Sequence, residues 1–252
     1  MEINIRMKKY HHYLTLLSLF MLLGILKLQA AIQLPAIFSN HMVLQRNSEL
    51  TFWGWGIPGE TISIAPEWMK GEIIKTQVNN TGKWSARVPS GEAGGPYEIR
   101  FSGSSEVTLT DVMLGEVWLC SGQSNMELTV KRVMDKYKDE IMSYENNLIR
   151  YTKTKYAYNF IAPQENSENE WKTCNRKDAL DFAALCYFFA KEMQAEKEVA
   201  IGIINSSWGG TKIASWSTRQ SLEKYENFKE KFRSSQYSNP DYPDSVKNAQ
   251  QA

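Results

Sequence analysis

Asp111-Val-Met-Leu-Gly-Glu-Val-Trp-Leu-Cys-Ser-Gly-Gln-Ser-Asn-Met126 is the stretch on which the reading of the fold turns. Val112 to Cys120 is a nearly unbroken apolar run, as expected of a strand buried on both faces of a parallel sheet. After the bend at Gly122, Leu128, Val133, Met134, Tyr137 and Ile141 fall at helical spacing, which predicts a helix from about Met126 to Tyr144. Ser124 stands at the bend. A hydroxyl projecting from a tight strand-to-helix turn, beside free N–H groups and positive potential, is well placed to act as a nucleophile. The same letters also spell a capping box, Ser124-x-x-Glu127, in which the serine does no more than cap the helix. Local sequence leaves both readings open.

Downstream, a second strand is expected over Leu148 to Lys153 and a helix over Asp178 to Glu196, with Asp178 as N-cap. A third strand, Val199 to Ile204, and a helix from about Ser217 to Phe232 complete a strand–helix alternation that argues for an α/β layer with a parallel sheet. The third strand leads into Gly202-Ile-Ile-Asn-Ser-Ser-Trp-Gly-Gly-Thr211, a glycine turn able to offer backbone and amide donors to an oxyanion, or simply to supply positive φ. In a sheet of order 2-1-3 the first and third strands are neighbours. Both motifs then fall at their C-terminal ends, the crevice where ligands bind.

Upstream, short β-segments recur from Ile32 to about Thr110, punctuated by Pro58-Gly59, Asn80-Thr81-Gly82 and Gly94-Gly95-Pro96. Trp84-Ser-Ala-Arg-Val88 alternates as a strand with one buried face does. The region reads as a small antiparallel β-sandwich. Residues 1–30 read as an export signal, with Arg6, Lys8 and Lys9 before the apolar run Tyr13 to Leu26 and small residues Ala30 and Ala31 after it. The run is too short to span a bilayer comfortably. The expected organisation is 1–30 signal peptide, 31–110 β-sandwich, 111–232 α/β domain and 233–252 polar tail. The protein is expected to be secreted or periplasmic, without stable membrane insertion after cleavage.

A net charge of +1 over 252 residues, with basic residues scattered, gives no reason to expect a nucleic-acid partner. The three cysteines cannot all pair. Cys174 and Cys186 are candidates for a bridge, and Cys120 reads as a buried small hydrophobe. No Cys/His cluster has zinc spacing, so no metal is expected. Oligomeric state is not assigned by the sequence.

Gly122-Gln-Ser-Asn-Met126 and Ser206-Ser-Trp-Gly-Gly-Thr211 resemble the two hallmark segments of the sialate O-acetylesterase family, within the SGNH-hydrolase group. Phe38-Ser-Asn-His-Met-Val-Leu-Gln-Arg46 resembles a segment of that family's leading β domain. The resemblance implies an antiparallel β-sandwich followed by an incomplete α/β SGNH-hydrolase domain of flavodoxin-like type, and an esterase acting on O-acetylated carbohydrate without a cofactor. Ser124 matches the family nucleophile. Gln123, Asn125, Asn205, Gly209 and Gly210 are the implied oxyanion and substrate-binding residues, together with the Ser124 backbone N–H.

The family also places a catalytic histidine, usually after an aspartate, well downstream of the glycine segment. This sequence has three histidines. His11 and His12 lie in the export signal, His41 reads as structural, and none follows Ser124. The economical reading is a family member truncated before its histidine and nearly inert alone. In the flavodoxin-like order, Val199 to Ile204 would then be an unpaired apolar edge. Two alternatives stand beside this one. One is a carbohydrate-binding protein using Trp118, Trp208 and Trp216 as stacking platforms; the other is an esterase for acetylated xylan.

Overall fold

A computed structural model describes residues 31–157 and 164–234. The export-signal and tail assignments lie outside the described residues. Ten strands are described: β1 (Val43–Gln45), β2 (Glu49–Trp55), β3 (Thr61–Pro66), β4 (Ile74–Gln77), β5 (Lys83–Pro89), β6 (Gly94–Ser102), β7 (Glu106–Gly122), β8 (Asn146–Lys153), β9 (Lys172–Cys174) and β10 (Ala200–Ser207). The helices are α1 (Ser124–Glu127), α2 (Met134–Ser143), α3 (Ala184–Lys197), α4 (Arg219–Leu222) and α5 (Glu226–Ser234).

β7 organises the molecule. Its first half pairs antiparallel with β6, from Ser102↔Glu106 to Gly94↔Leu114, and β6 leads on to β3 and β4. Its second half pairs parallel with β10, from Ala200↔Gly115 to Ser207↔Gly122. One sheet of order β4-β3-β6-β7-β10-β8-β9 therefore runs through both halves of the chain. The change of texture read at Asp111 is a bend within this strand, where Asp111 takes a left-handed conformation with φ 55°.

A two-stranded ribbon, β2–β5, covers the antiparallel wing. The alternation expected over Trp84 to Val88 is present: Trp84, Ala86 and Val88 are buried while Lys83, Ser85 and Arg87 face out. They share a core with Phe52 of the ribbon and Ile62, Ile64, Ile99 and Phe101 of the wing. The second core lies under α3, where Ala184, Cys186, Tyr187 and Ala190 meet Cys120, Ile149, Tyr151, Ile201 and Ile203.

The parallel strands run β7-β10-β8, which corrects the expected order 2-1-3. The first and third strands are neighbours, but the second lies beyond the third. The chain leaves β7 and reaches β8 before returning through α3, so β10 fills the gap last. Ala200 to Ile203 are accordingly all buried, and Gly115 must be glycine because a Cβ there would stand 2.0 Å from the Ala200 carbonyl oxygen. The apolar edge expected at Val199 to Ile204 does not exist: β10 is paired on both sides. The open edge belongs to β7 beyond Val117, whose N–H is taken by the Gln45 side chain at 2.9 Å, and Leu119 there is 68% exposed.

The long helices are also interrupted. The stretch Met126 to Tyr144 divides into α1, a 3-10 turn over Val130–Val133, and α2. Asp178 does not cap a helix through Glu196. It opens a 3-10 turn, Asp178–Asp181, and accepts a hydrogen bond from Asn175 Nδ2 at 2.6 Å. The cause lies elsewhere in the chain. Ala184 N–H donates to the Leu128 carbonyl at 2.7 Å and Val130 N–H to the Phe182 carbonyl at 2.9 Å. This strand-like bridge between 128–130 and 182–184 supplies backbone partners that a continuous helix would have supplied locally. The helix expected over Ser217 to Phe232 divides into α4, capped by Thr218, and α5.

All three cysteines are free and buried, so the pairing of Cys174 with Cys186 is not formed. The core takes up each thiol separately. Burial pushes the Cys174 thiol up to about 11, and the Cys186 sulfur receives the Asn205 amide at 3.5 Å. Cys120 is the buried small hydrophobe expected.

Candidate active site

The C-terminal ends of β7, β10 and β8 converge, and the two sequence motifs meet there. Trp208 N–H donates to the Gly122 carbonyl at 2.9 Å, extending the β7–β10 ladder one residue beyond the strands. At Gly122 the backbone turns with φ 144°, a conformation glycine accepts without strain, and delivers Ser124 to the first position of α1. Two side chains of β10 then hold the turn from below. Asn205 Nδ2 and Ser207 Oγ both donate to the Met126 carbonyl, at 3.0 and 3.1 Å, and Ser207 Oγ also lies 2.7 Å from Asn205 Oδ1. Asn205 is fully buried and Ser207 nearly so. The amide of Asn205 is thus committed beneath the site, holding the turn.

The capping box is not formed. The N-cap position is Gln123, with no side-chain cap bond, and Ser124 Oγ makes no hydrogen bond among the described residues. Glu127 reaches away from its own helix instead: Oε2 accepts the Gly209 N–H at 2.6 Å, and Oε1 lies 3.6 Å from Lys153 Nζ on β8. A Cβ at Gly209 would stand 2.6 Å from Glu127 Oε2 and 3.6 Å from Ser124 Oγ. The glycine loop therefore crosses close to the serine, at a distance that any side chain would spoil. Gly210 follows with φ 78° and is exposed. Gln123, Ser124 and Asn125 are exposed beside it.

Ser124 and Glu127 share a cavity of about 360 Å³ with Leu128, Thr129, Arg132 and Lys153. Its charges are two cations and one carboxylate. Glu127 is engaged by Lys153 and Gly209, while Arg132 has no carboxylate within ion-pair distance among the described residues. Among the described residues no cluster of three or more His, Cys, Asp or Glu converges as metal ligands, and no helix is long and apolar enough to cross a membrane.

Sequence reasoning did not single out Lys153, Arg132 or Ser207. Lys153 had a usable signal, being a charged residue at the end of a buried strand and opposite Asn205 in register. Glu127 was visible, but in the wrong role. Its bond to Gly209 yields a direct check. Glu127→Ala is expected to speed hydrogen exchange of the Gly209 amide roughly ten- to hundredfold, as loss of a hydrogen bond to a charged acceptor implies. Residue-resolved exchange followed by NMR measures it, and an unchanged Gly209 rate contradicts the contact.

The remaining sequence candidates lie apart. His41 Nδ1 is 2.6 Å from Asp111 Oδ2, so an Asp–His pair is present, but near the other end of β7 from Ser124. Trp118 sits at the open edge of β7 against Phe189. Trp208 stacks on Tyr156 with ring centroids 4.3 Å apart, and Trp216 donates its indole N–H to Thr211 Oγ1 at 2.8 Å.

A mixed α/β sheet with a serine and a glycine loop at the ends of neighbouring parallel strands is the fold of a carbohydrate esterase. The structure of a carbohydrate acetylesterase from Xanthomonas citri superimposes with a TM-score of 0.72 at 34% identity, over 77% of this chain and 44% of that one. A family model described as "Carbohydrate esterase, sialic acid-specific acetylesterase" matches residues 114–243, and the chain belongs to that family. The sialate O-acetylesterase of Rattus norvegicus is 30% identical over 200 residues, and that of Mus musculus 31% over 206; each match covers 73% of this chain and 37% of the relative. The Homo sapiens sialate O-acetylesterase is 28% identical over 201 residues. The chain spans less than half the length of these relatives.

Proposed function

We propose that this chain carries the nucleophile of a secreted serine carbohydrate esterase that removes O-acetyl groups from sialylated sugars. We read its architecture as a β-sandwich module joined to part of an SGNH-hydrolase domain. The observation that carries the proposal is the state of Ser124: its hydroxyl is exposed in a cavity, free of the capping role, with the Gly209–Gly210 loop close above it. Ser124 Oγ attacks the acetyl carbonyl while a histidine takes its proton. The tetrahedral oxyanion is held by the Ser124 backbone N–H and the glycine loop, and water then releases acetate from the acyl-enzyme. Gln123 and Asn125 flank the sugar. The test is acetate release from O-acetylated sialosides by a protein in which this chain continues into an Asp-x-x-His segment. Serine-dependent release supports the proposal, and release that survives Ser124→Ala overturns it.

The charge of the cavity favours an acidic sugar over acetylated xylan. Arg132 and Lys153 line it, and Arg132 is free of acidic partners among the described residues, so its guanidinium is available to a sugar carboxylate in bidentate geometry. Arg132→Gln is expected to weaken binding of free sialate about ten- to hundredfold, with no change for a neutral methyl pentoside. Calorimetric titration of the 252-residue chain measures both. Equal loss for the two sugars removes the carboxylate role.

A further inference from the structure

We propose that the β2–β5 ribbon carries a second carbohydrate-binding site, for a neutral glycan chain, built on Trp53 and Trp55. Strand alternation puts Phe52 and Gly54 in the core and turns the side chains of Trp53 and Trp55 outward. Two indoles in succession on a solvent-facing strand are an unusual surface for a soluble domain, where exposed apolar area normally marks a binding site. They border a cavity of about 600 Å³, within the range of ligand sites. Its floor depends on Gly54. A Cβ there would stand 2.2 Å from the Gln33 carbonyl oxygen and 2.9 Å from the buried Trp84 ring, so the smooth bottom between the two indoles requires glycine.

The polar groups around the cavity suit a sugar better than a hydrocarbon or an ion. Trp53 Nε1 and Trp55 Nε1 have no hydrogen-bond partner among the described residues, whereas Trp84 Nε1 donates to the Trp55 carbonyl at 3.3 Å. The Gln77 amide and the Ser85 hydroxyl face the same space and are equally uncommitted. The two charges at the rim, Lys83 and Glu165, are 2.5 Å apart and neutralise one another. An indole offers a flat apolar face to the C–H side of a pyranose and an N–H to a hydroxyl, and uncommitted amide and hydroxyl groups take the remaining hydroxyls. Nothing in this arrangement calls for a charged substituent. The ligand class is therefore a neutral glycan, distinct from the acidic sugar assigned to Ser124. This site is made wholly from the ribbon and its neighbours and does not depend on the reading of Ser124.

Cellohexaose and xylohexaose serve as probes, titrated into the 252-residue chain with the tryptophan indole N–H resonances followed by NMR. Saturable shifts of the Trp53 and Trp55 resonances are expected with at least one probe. Trp53→Ala should weaken that binding at least tenfold, Trp53→Phe, which keeps an aromatic face, should weaken it less, and Ser124→Ala should leave it unchanged. No saturable shift with either probe overturns the proposal, as does binding that Trp53→Ala leaves intact. Loss of binding in Trp53→Phe as complete as in Trp53→Ala counts against stacking and overturns it too. Thermal melting of each variant separates loss of the site from loss of the fold.

Discussion

Ser124→Ala lowers acetyl-ester turnover about a millionfold wherever this chain is supplied with a catalytic histidine, because nucleophile and base act as one unit in serine hydrolases. The same coupling gives a sharper expectation for the 252-residue chain by itself. No histidine follows Ser124, and the Asp–His pair that exists, His41 with Asp111, lies near the far end of β7. The base is already missing, so Ser124→Ala should change the residual steady-state turnover little. Effects of residues in such a unit do not add. Acetate release by the chain and by its Ser124→Ala form, measured side by side, should therefore differ by far less than the millionfold seen with a histidine present. A large serine-dependent turnover from the lone chain would mean that another group acts as base, with Glu127 and Lys153, already in the cavity, as the groups to test.

The second large effect concerns stability at the bend of β7. Asp111 receives two hydrogen bonds from the nearly buried Arg150 guanidinium, at 2.7 and 3.0 Å, and Arg150 Nε also donates to the Asn147 carbonyl at 2.6 Å. This pair ties β7 to β8 across the end of β10 that faces away from Ser124. Asp111→Asn keeps a residue that tolerates the left-handed backbone but removes the charge, leaving an uncompensated buried guanidinium; the expected cost is about 3–5 kcal/mol. The hydrogen bonds from Arg150 hold the Asp111 carboxyl below its usual value of 3.8, against the opposing pull of burial, with His41 adding to the lowering. A carboxylate depressed in the folded state contributes stability that is fully present above its unfolded value and disappears as pH falls through the folded one. The gap between the natural protein and Asp111→Asn in denaturant melts should thus be constant near neutrality and shrink below about pH 4. A gap independent of pH down to strongly acid conditions contradicts the assignment.

Much of this could be read from the residues, and the failures have a common cause. The apolar run into Gly122, the alternation of Trp84 to Val88 and the adjacency of the two glycine-bearing turns are local patterns, and each appears in the structure. What local pattern cannot carry is the choice between partners distant in the chain. The bridge between 128–130 and 182–184 breaks two helices whose periodicity is sound, and the strand order β7-β10-β8 depends on where α3 returns the chain. Glu127 shows the same limit at the site. Its spacing from Ser124 is right for a capping box, yet a backbone N–H eighty-two residues away takes its carboxylate. Asn205 was legible as a polar residue at a strand end, but its commitment to the Met126 carbonyl needs both turns in place.

The most direct test of Ser124 as an acyl acceptor needs no histidine. Attack on an activated aryl acetate transfers the acetyl group to Ser124, and without a base to activate water the acyl-enzyme should persist. Peptide mass spectrometry of the 252-residue chain after brief exposure to 4-nitrophenyl acetate should find one acetyl group concentrated on Ser124, and none there in Ser124→Ala. Acetyl groups spread over lysines and other serines, with Ser124 modified no more than its neighbours, would contradict the account.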